Sequence, residues 1–229
     1  MTIFGVNKWN FSVKIYEVEE FINGTLYHCD TITQNGEVLF SVCSQASCPN
    51  FDFQLGKPLV SLPLEQQDSV SIALKAFNSK VLAALNYRTG ITHHEIFVKA
   101  DGEIVFLEIG ARSAGAIITP MYRAAFNIPF EDTDFKIEME IPFKLKPTYH
   151  CYYMSGILPI LSGTVTELFK PALKSKFDMK WLVKIGDVLN RCKSLRDKAG
   201  AITVWNADYQ TLLQDFNYLK NFECISTSS

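Results

Sequence analysis

The sequence of 229 residues lacks the features by which several classes of protein are recognised. It has no long cluster of lysine and arginine, and its formal net charge at pH 7 is -2. A surface that binds nucleic acid needs concentrated positive charge, so we expect no nucleic-acid partner. No apolar run approaches the ~18 residues that a membrane-spanning helix requires, so we expect no membrane association.

The cysteines also lack a recognisable pattern. None of the six forms a CxxC pair or a zinc-like spacing, and a chain of this length does not need disulfide bonds to fold. The N-terminal stretch MTIFGVNKWNFS has neither the charged start nor the continuous apolar core of a secretory signal. We therefore expect reduced thiols and a cytoplasmic protein.

Glycine-rich phosphate loops are absent as well, since the chain contains neither GxGxxG nor a P-loop. What is present is ample apolar material: 48% of the residues are hydrophobic and 13% are aromatic. Such a composition predicts a globular protein with a substantial core, as one large domain or two modest ones.

Residues 90–112, GITHHEIFVKADGEIVFLEIGAR, have the pattern of a β-hairpin. Apolar residues alternate on both sides of Asp101-Gly102, and these residue types tolerate the positive φ angles of a type I′ turn. The predicted turn pairs Ala100 with Glu103. Counting outward, three further pairs share one face: Phe97 with Phe106, Glu95 with Glu108, and His93 with Gly110. The other face is predicted to be core.

The opposed Glu95 and Glu108 pose a chemical problem. Their Cβ atoms are expected roughly 5 Å apart, which is destabilising when both carboxylates are ionised. A magnesium or manganese ion would remove the repulsion, because hard cations take carboxylate oxygens and magnesium typically adds substrate phosphates. Arg112, just beyond the second strand, is placed to meet an anion beside the metal. The alternative is a solvated face on which Lys99 screens the two charges, although phenylalanines on the same face argue against simple exposure.

The sequence before the hairpin predicts a meander of strands and then a helix. Turn signals at Asn23-Gly24 and Asn35-Gly36 separate strands near 11–22, 25–33 and 37–43. Residues 44–64 contain three prolines and little periodicity, so they are predicted to form a long loop. From residue 66 to 87 the apolar positions recur at helical spacing, at Val70, Leu74, Phe77, Val81 and Leu85.

After the hairpin, Ser113 is the predicted N-cap of a second helix whose buried side carries Ile117, Met121, Tyr122, Ala125 and Phe126. A helix that begins there would point free N–H groups toward an anion held at the carboxylates.

Beyond Asn127 the chain becomes charged and then alternates again. Strands are predicted at 150–153, 163–168, 181–189 and 201–205, with a closing helix at 208–222. The expected fold class is α+β: an antiparallel sheet with packed helices in residues 1–129, followed by a small α+β subdomain in residues 130–229 that carries no catalytic centre.

Two stretches together resemble a known family. VEEFING at Val18–Gly24 resembles the hinge of the ATP-grasp enzymes, and HHE followed by FLEIGARSAG at Phe106–Gly115 resembles their metal-binding hairpin. The resemblance covers about residues 10–130. Stretches of the C-terminal part, among them KIGD at Lys184–Asp187, look like the C-terminal subdomain of the L-amino-acid ligase branch.

The resemblance implies an ATP-dependent carboxylate–amine ligase that forms an acylphosphate from a small-molecule carboxylate or amino-acid substrate. By position, Glu95 and Glu108 would hold Mg²⁺ (or Mn²⁺) against the ATP phosphates, and Arg112 would stabilise the transferring phosphoryl group. His93 shares the metal face, where it either orients a ligand or is a hydrogen-bonded structural histidine. The backbone around four hinge residues would bind adenine: Glu19, Glu20, Phe21 and Ile22.

The sequence departs from the family pattern in three respects. Leu26 stands where an acidic residue usually contacts ribose, and Gly110 stands where an asparagine is usual. In the family, the half of the cleft with the phosphate-binding lysine precedes the hinge, whereas this sequence has only a short stretch before it. We therefore expect little or no ATPase activity from this chain alone, and a homo-oligomer or second subunit to cover the exposed apolar surface. Two alternatives are a non-catalytic remnant acting as a binding or assembly module and a carboxylase-type ATP-grasp component.

Overall fold

A computed structural model of the chain describes residues 2–5 and 14–228, with side chains described from residue 18 onward. The helices are α1 (Asn50–Phe53), α2 (Ser69–Ala84), α3 (Ile118–Phe126), α4 (Phe130–Glu138) and α5 (Tyr209–Leu219). The strands are β1 (Thr2–Gly5), β2 (Lys14–Glu17), β3 (Gly24–Gln34), β4 (Glu37–Ala46), β5 (Leu59–Pro63), β6 (Gly90–Lys99), β7 (Ile104–Gly110), β8 (Tyr152–Pro159), β9 (Gly163–Leu168), β10 (Lys176–Trp181), β11 (Val188–Leu189), β12 (Lys198–Asn206) and β13 (Ile225–Ser228).

The predicted α+β class with a large antiparallel sheet is confirmed. Eight strands form one sheet in the order β10-β12-β8-β5-β4-β3-β6-β7, and the described pairings within it are antiparallel. A small sheet, β11-β9-β13, lies in the C-terminal part, and β1 pairs with β2. None of the helices in residues 2–5 and 14–228 is long and apolar enough to cross a membrane.

The two faces of the sheet have different coverings, and alternation along β3 and β6 decides which residues meet each one. Cys29 and Ile96 face α2, where Leu74 completes an apolar cluster. Ile32 and Ile91 face the opposite side and pack with α3 and α4. A third cluster joins β5, β8 and β12 to α5. The cavity described below lies on the α3 side.

The predicted helix is present as α2, but its buried residues differ from the apolar positions that were predicted to be buried. Leu74 and Leu82 are buried as expected for apolar residues, whereas Leu85 is exposed. Ser71 and Asn78 are buried instead. Hydrogen bonds explain the buried amide, because Asn78 donates to Thr31 Oγ1 at 2.9 Å and accepts from a histidine of β6.

The predicted loop at residues 44–64 is wrong, because this segment holds α1 and the central strand β5. Ser44 pairs with Pro63 on one side, and Leu59 pairs with Ile157 on the other. Five residues that end in proline give too short a pattern to indicate a strand, yet Val60 and Leu62 are fully buried. Proline is tolerated at the end of the strand, where it lacks only one ladder donor.

The hairpin turn differs from the predicted type I′ turn. Lys99 N–H donates to Glu103 O at 2.9 Å, so three residues form the loop, and only Gly102 among them has a positive φ, at 88°. This is a three-residue turn with its glycine at the left-handed position. It shifts the pairing by one residue, so that Ile96 meets Phe106. A bulge between Glu95 and Ile96 then restores the predicted register.

Several boundaries after the hairpin also differ. Helix α3 begins at Ile118, with Ile117 and not Ser113 at the N-cap position, and no side chain caps it. Its predicted buried residues Met121, Tyr122, Ala125 and Phe126 are buried. Helix α4 was not predicted, and the predicted strand at 181–189 is instead the end of β10, an irregular segment and β11.

Of the predicted meander, residues 11–13 lie outside the described part of the chain, while β3, β4 and the Asn35-Gly36 turn are present. The division at residues 129 and 130 stays a prediction. Strands from both sides of it pair in the large sheet, since β5 lies beside β8.

Candidate functional site

A cavity of about 390 Å³ opens on the α3 side of the sheet, where β6 and β7 approach β5, β8 and the start of β12. Its lining combines carboxylates, cations and hydroxyl groups with apolar side chains. The polar and charged members are His28, Asn50, Ser61, His93, Glu95, Glu108, Arg112, Ser155, Arg196 and Lys198. Five lining residues come from the C-terminal part that was predicted to carry no catalytic centre: Ser155, Ile157, Leu195, Arg196 and Lys198.

Glu95 and Glu108 are directly opposed across β6 and β7, and both line the cavity. The predicted register of this pair is confirmed, whereas Phe106 is not on their face and contacts His94 on the other side. Asn50 Nδ2 donates to both oxygens of Glu95, at 3.0 and 3.1 Å. Burial alone would raise the pKa of the Glu95 carboxyl, but His93 and the Asn50 amide hold it below its ordinary value. Glu95 is therefore ionised and fixed in position.

Behind Glu95 lies a fully buried carboxylate, Asp30, which organises the polar face of the sheet. It accepts hydrogen bonds at 2.7 Å from His28 Nδ1, His93 Nδ1 and Tyr122 Oη. Burial alone would raise the pKa of Asp30, but the charges and hydrogen bonds of His93 and His28 hold it well below its usual range. Because an ionised carboxylate only accepts, both histidines carry a hydrogen on Nδ1.

The outer nitrogens of these two histidines point toward the cavity lining. His28 Nε2 lies 2.7 Å from Ser61 Oγ, and His93 Nε2 lies 3.5 Å from Glu95 Oε1. Burial would lower the pKa of His93, but Asp30 and, to a smaller degree, Glu95 raise it to about 10. In the chain without bound ions, His93 therefore carries a proton on both nitrogens.

Cationic side chains lie at the rim. Arg112 is exposed and lines the cavity, and its Nη1 donates to the carbonyl oxygen of Ser113 at 3.0 Å. Its stem folds over Gly110, because a Cβ at that glycine would lie 3.3 Å from Arg112 Cγ. Arg196 and Lys198 add positive charge from the start of β12. Two carboxylates beside three cations can hold a metal ion together with an anion such as a phosphate.

The predicted adenine-binding segment lies apart from this lining. Residues 19–22 form an irregular link between β2 and β3, and Phe21 is 88% exposed. Leu26, a few residues on, is buried and does line the cavity. The adenine role of Glu19, Glu20, Phe21 and Ile22 stays a prediction.

Sequence reasoning missed the residues that reach the cavity from distant segments. Asn50 belongs to the supposed loop, and Arg196 and Lys198 belong to the part assigned no catalytic role. A signal for Asp30 did exist, because β3 and β6 were both predicted and an antiparallel pairing places Asp30 opposite His93. No local signal marks the others.

The carboxylate pair fits a divalent metal ion. Glu95 and Glu108 supply oxygen donors from adjacent strands, and the ionised state of Glu95 is the form that binds a cation. The cluster of His28, Asp30 and His93 also places ligand atoms within 4.8 Å of one another. Its facing atoms are already joined by hydrogen bonds, so an ion among these three would have to break them.

The resemblance to the ATP-grasp enzymes that the hinge and hairpin motifs predict is confirmed by comparisons with known proteins. The crystal structure of an L-amino acid ligase from Bacillus licheniformis matches 91% of this chain and 53% of its own, with a TM-score of 0.66 and 17% identity. Phosphoribosylglycinamide synthetase from Anaerococcus prevotii matches 91% of this chain and 55% of its own, with a TM-score of 0.64 and 15% identity.

Among curated proteins, the chain is similar to the L-arginine-specific L-amino acid ligase of Bacillus subtilis. The two are 29% identical over 196 residues, which cover 82% of this chain and 45% of that protein. The predicted likeness to the L-amino-acid ligase branch is thereby confirmed. No protein-family model matches the chain. The chain spans about half the length of the relatives it matches.

Proposed function

We propose that this chain is a portion of an ATP-dependent carboxylate–amine ligase that activates its substrate as an acylphosphate. The observation that carries the proposal is the opposed pair Glu95 and Glu108, set beside Arg112 in one cavity. The relatives support the class of reaction, since two of them are L-amino acid ligases. A small carboxylate or amino acid is therefore the proposed substrate class, and a cytoplasmic location is proposed with it.

The residues of this chain would act by positioning and by neutralising charge. Glu95 and Glu108 would hold Mg²⁺, which when bound neutralises charge on the ATP phosphates. Asn50 fixes the Glu95 carboxylate through both oxygens, so little ordering would remain for the moment of binding. Arg112, with Arg196 and Lys198 across the cavity, would stabilise negative charge on the transferring phosphoryl group.

The buried serine hydroxyls and His28 would fix the inner side of the cavity. Ser61 and Ser155 face each other on paired strands and line the cavity, and Ser61 is held by His28. Such fixed donors and acceptors orient a polar substrate without reorganisation during the reaction. The apolar lining, Leu26 among it, limits access of water to the same space.

Because the chain spans about half of its relatives, we propose that the nucleotide cleft is completed by a further segment or by a second subunit. The exposed Phe21 and Val18 of the hinge segment supply apolar surface for such a contact. The expected activity of the 229-residue chain alone is weak magnesium-dependent ADP release or none. A binding or assembly module without catalysis is the second candidate, favoured by Leu26 in the cavity lining.

Calorimetry with Mg-ATP tests the proposal on this chain directly. We expect binding that Glu108→Gln weakens at least about tenfold, because the substitution removes a metal ligand and leaves its shape. Glu103→Gln is the matched control, since Glu103 lies at the turn of the same hairpin and pairs with Lys99. Equal binding by wild type and Glu108→Gln would contradict the proposed site. Robust ADP release abolished by Glu108→Gln would show that the chain is active alone.

A further inference from the structure

We propose that a second cavity, at the other end of the paired strands β5 and β8, binds a small organic cation of the alkylated ammonium class. This site is independent of the proposed function, because its lining shares no residue with the cavity that contains Glu95 and Glu108. Its volume is about 560 Å³, which lies within the range of about 300–1,000 Å³ that is usual for small-molecule sites.

Four segments form the walls of the second cavity. They are the link from β5 to α2 (63–68), the end of α3 (125–126), the approach to β8 with its first residues (149–153), and Ala207 before α5. Because the walls come from separate parts of the chain, the cavity is a notch between elements and not a groove along one of them. Four of the lining residues are aromatic: Phe126, Tyr149, Tyr152 and Tyr153.

The aromatic rings of the walls are held by packing, yet two of them keep surface open to a ligand. Phe126 packs on Tyr149 with ring centres 5.7 Å apart, and Tyr152 packs on Tyr209 at 5.1 Å. Tyr149 is still 57% exposed and Tyr152 is 37% exposed. The face of an aromatic ring attracts a cation, and the attraction is strongest when the cation sheds its water. An alkylated ammonium group is the type of cation that such rings recognise.

The charged side chains of the second cavity are acidic. Glu65 and Asp68 line it, and no lysine or arginine is among its described lining residues. Glu65 Oε1 accepts a hydrogen bond from Tyr152 Oη at 3.0 Å, and neither carboxylate forms an ion pair with a described residue. Burial raises the pKa of Tyr209, and the charges of Glu65 and Asp68 raise it further. The negative potential therefore reaches the aromatic wall.

Positive groups near the second cavity already have partners. Helices α2 and α5 begin beside it, and a helix N-terminus by itself favours an anion. Asp68 and Asp208 cap these two helices and accept hydrogen bonds from their first backbone N–H groups. Lys75 donates a hydrogen bond to Gln66 at the rim. Glu65 caps no helix, so it is the carboxylate that is available to a cation beside the rings.

The alternative is a cleft that selects by shape alone, which would bind a neutral molecule of the same shape equally well. Choline and 3,3-dimethylbutan-1-ol make this comparison, because the alcohol has a carbon atom in place of the quaternary nitrogen. Each is titrated into the ¹⁵N-labelled 229-residue chain, and the amide signals are followed by nuclear magnetic resonance.

We expect choline to bind with a dissociation constant in the millimolar range or below, at least about fivefold tighter than the neutral alcohol. The amide signals of Gln66, Gln67 and Tyr152 should shift, while those of Glu95 and Glu108 stay in place.

Two variants separate the contribution of charge from that of the ring. Glu65→Gln should weaken choline binding about threefold and leave binding of the alcohol unchanged. Tyr152→Leu keeps an apolar side chain but removes the ring, so it should reduce the preference for choline by about threefold. Glu167→Gln is the matched control, since Glu167 is an exposed carboxylate on β9, and it should bind choline like wild type.

The wild-type comparison gives an answer even if Tyr152→Leu fails to fold. Equal affinity for choline and the alcohol, shifts centred on another part of the chain, or no choline binding by the folded wild type would overturn the cation site. Choline binding that neither Glu65→Gln nor Tyr152→Leu weakens would also overturn it. All of these outcomes leave the proposed ligase function standing, because Mg-ATP binding and Glu108→Gln test that separately.

Discussion

Two adjacent histidines on β6 show how the environments of the two faces of the sheet differ. His93 points to the cavity and has a pKa raised to about 10, chiefly because Asp30 opposes the effect of burial. His94 points to α2, lies between Phe77 and Phe106, and has a pKa lowered by burial to about 4. Residue type and position along the chain are nearly the same, so the environment of each face decides the charge.

The helix face satisfies His94 with a neutral partner. Its Nδ1 lies 2.8 Å from Asn78 Oδ1, and its Nε2 has no hydrogen-bond partner among the described residues. A neutral ring between aromatic side chains belongs to the core. The cavity face instead concentrates ionised groups, an arrangement that is frequent at functional sites. One strand thus carries a structural face, with His94, and the face that is proposed to bind a metal ion, with His93.

Removal of the Asp30 carboxylate should have the largest effect on stability. Asp30→Ala leaves His28, His93 and Tyr122 without their shared acceptor, and breaking a buried charged pair costs about 3–5 kcal/mol. Urea unfolding measures the loss. Asp178→Ala alters an exposed carboxylate on β10 and should stay within about 0.5 kcal/mol of wild type. A loss below about 1 kcal/mol in Asp30→Ala would mean that the buried network contributes little.

His94→Leu should have an intermediate effect, confined to stability. The apolar side chain suits the aromatic surroundings, but Asn78 Oδ1 loses its donor in a buried place, at a cost of about 1–3 kcal/mol. The midpoint of urea unfolding measures this loss. Mn²⁺ affinity should equal that of wild type, because His94 is on the other face. Weakened Mn²⁺ binding in a folded His94→Leu chain would break the separation of the two faces.

Loss of the α2 N-cap should cost less. Asp68 accepts hydrogen bonds from the backbone N–H groups of Val70 and Ser71, so Asp68→Ala should lower stability by about 1 kcal/mol. Asp68→Asn keeps an acceptor and should lose only part of this. Thermal unfolding measures both variants. Unchanged Mn²⁺ binding is expected for each, and a loss of binding would show that α2 supports the cavity.

Gly110→Ala should have the smallest effect on stability and a selective effect on anions. A methyl group there would lie 3.3 Å from Arg112 Cγ and Nε, so the arginine must shift, while the strand itself accepts alanine. We expect a stability change within about 0.5 kcal/mol. Mg-ATP should bind more weakly while Mn²⁺ alone is bound as before. Calorimetry that shows equal Mg-ATP affinity would remove Arg112 from the binding account.

The sequence permitted prediction of the features that are local. The opposed Glu95 and Glu108 followed from alternation around one turn, and they survive because the longer turn and the bulge shift the register in opposite directions. The longer turn and the bulge also place Phe106 on the face opposite to the predicted one, beside His94. The motif around the hairpin and hinge also predicted the family resemblance that the comparisons confirm.

Features that depend on distant contacts escaped prediction. β5 is a short apolar stretch whose strand character comes from pairing with β4 and β8. Asn50 reaches Glu95 across 45 positions of the chain, and Lys198 enters the cavity from a segment predicted as a separate appendage. Ser113 was predicted to cap α3 because its residue type favours caps, but the helix begins at Ile118. Residue type alone could not indicate where the irregular segment ends.

Paramagnetic broadening by Mn²⁺ tests most directly that the Glu95 and Glu108 face binds a divalent ion. Substoichiometric Mn²⁺ is added to the ¹⁵N-labelled chain, and the amide signals of the hairpin are followed by nuclear magnetic resonance. We expect the amides of Glu95, Glu108 and Gly110 to broaden first, while that of Gly102 at the far end of the hairpin stays sharp. Broadening centred elsewhere, or equal along the whole hairpin, would contradict the account.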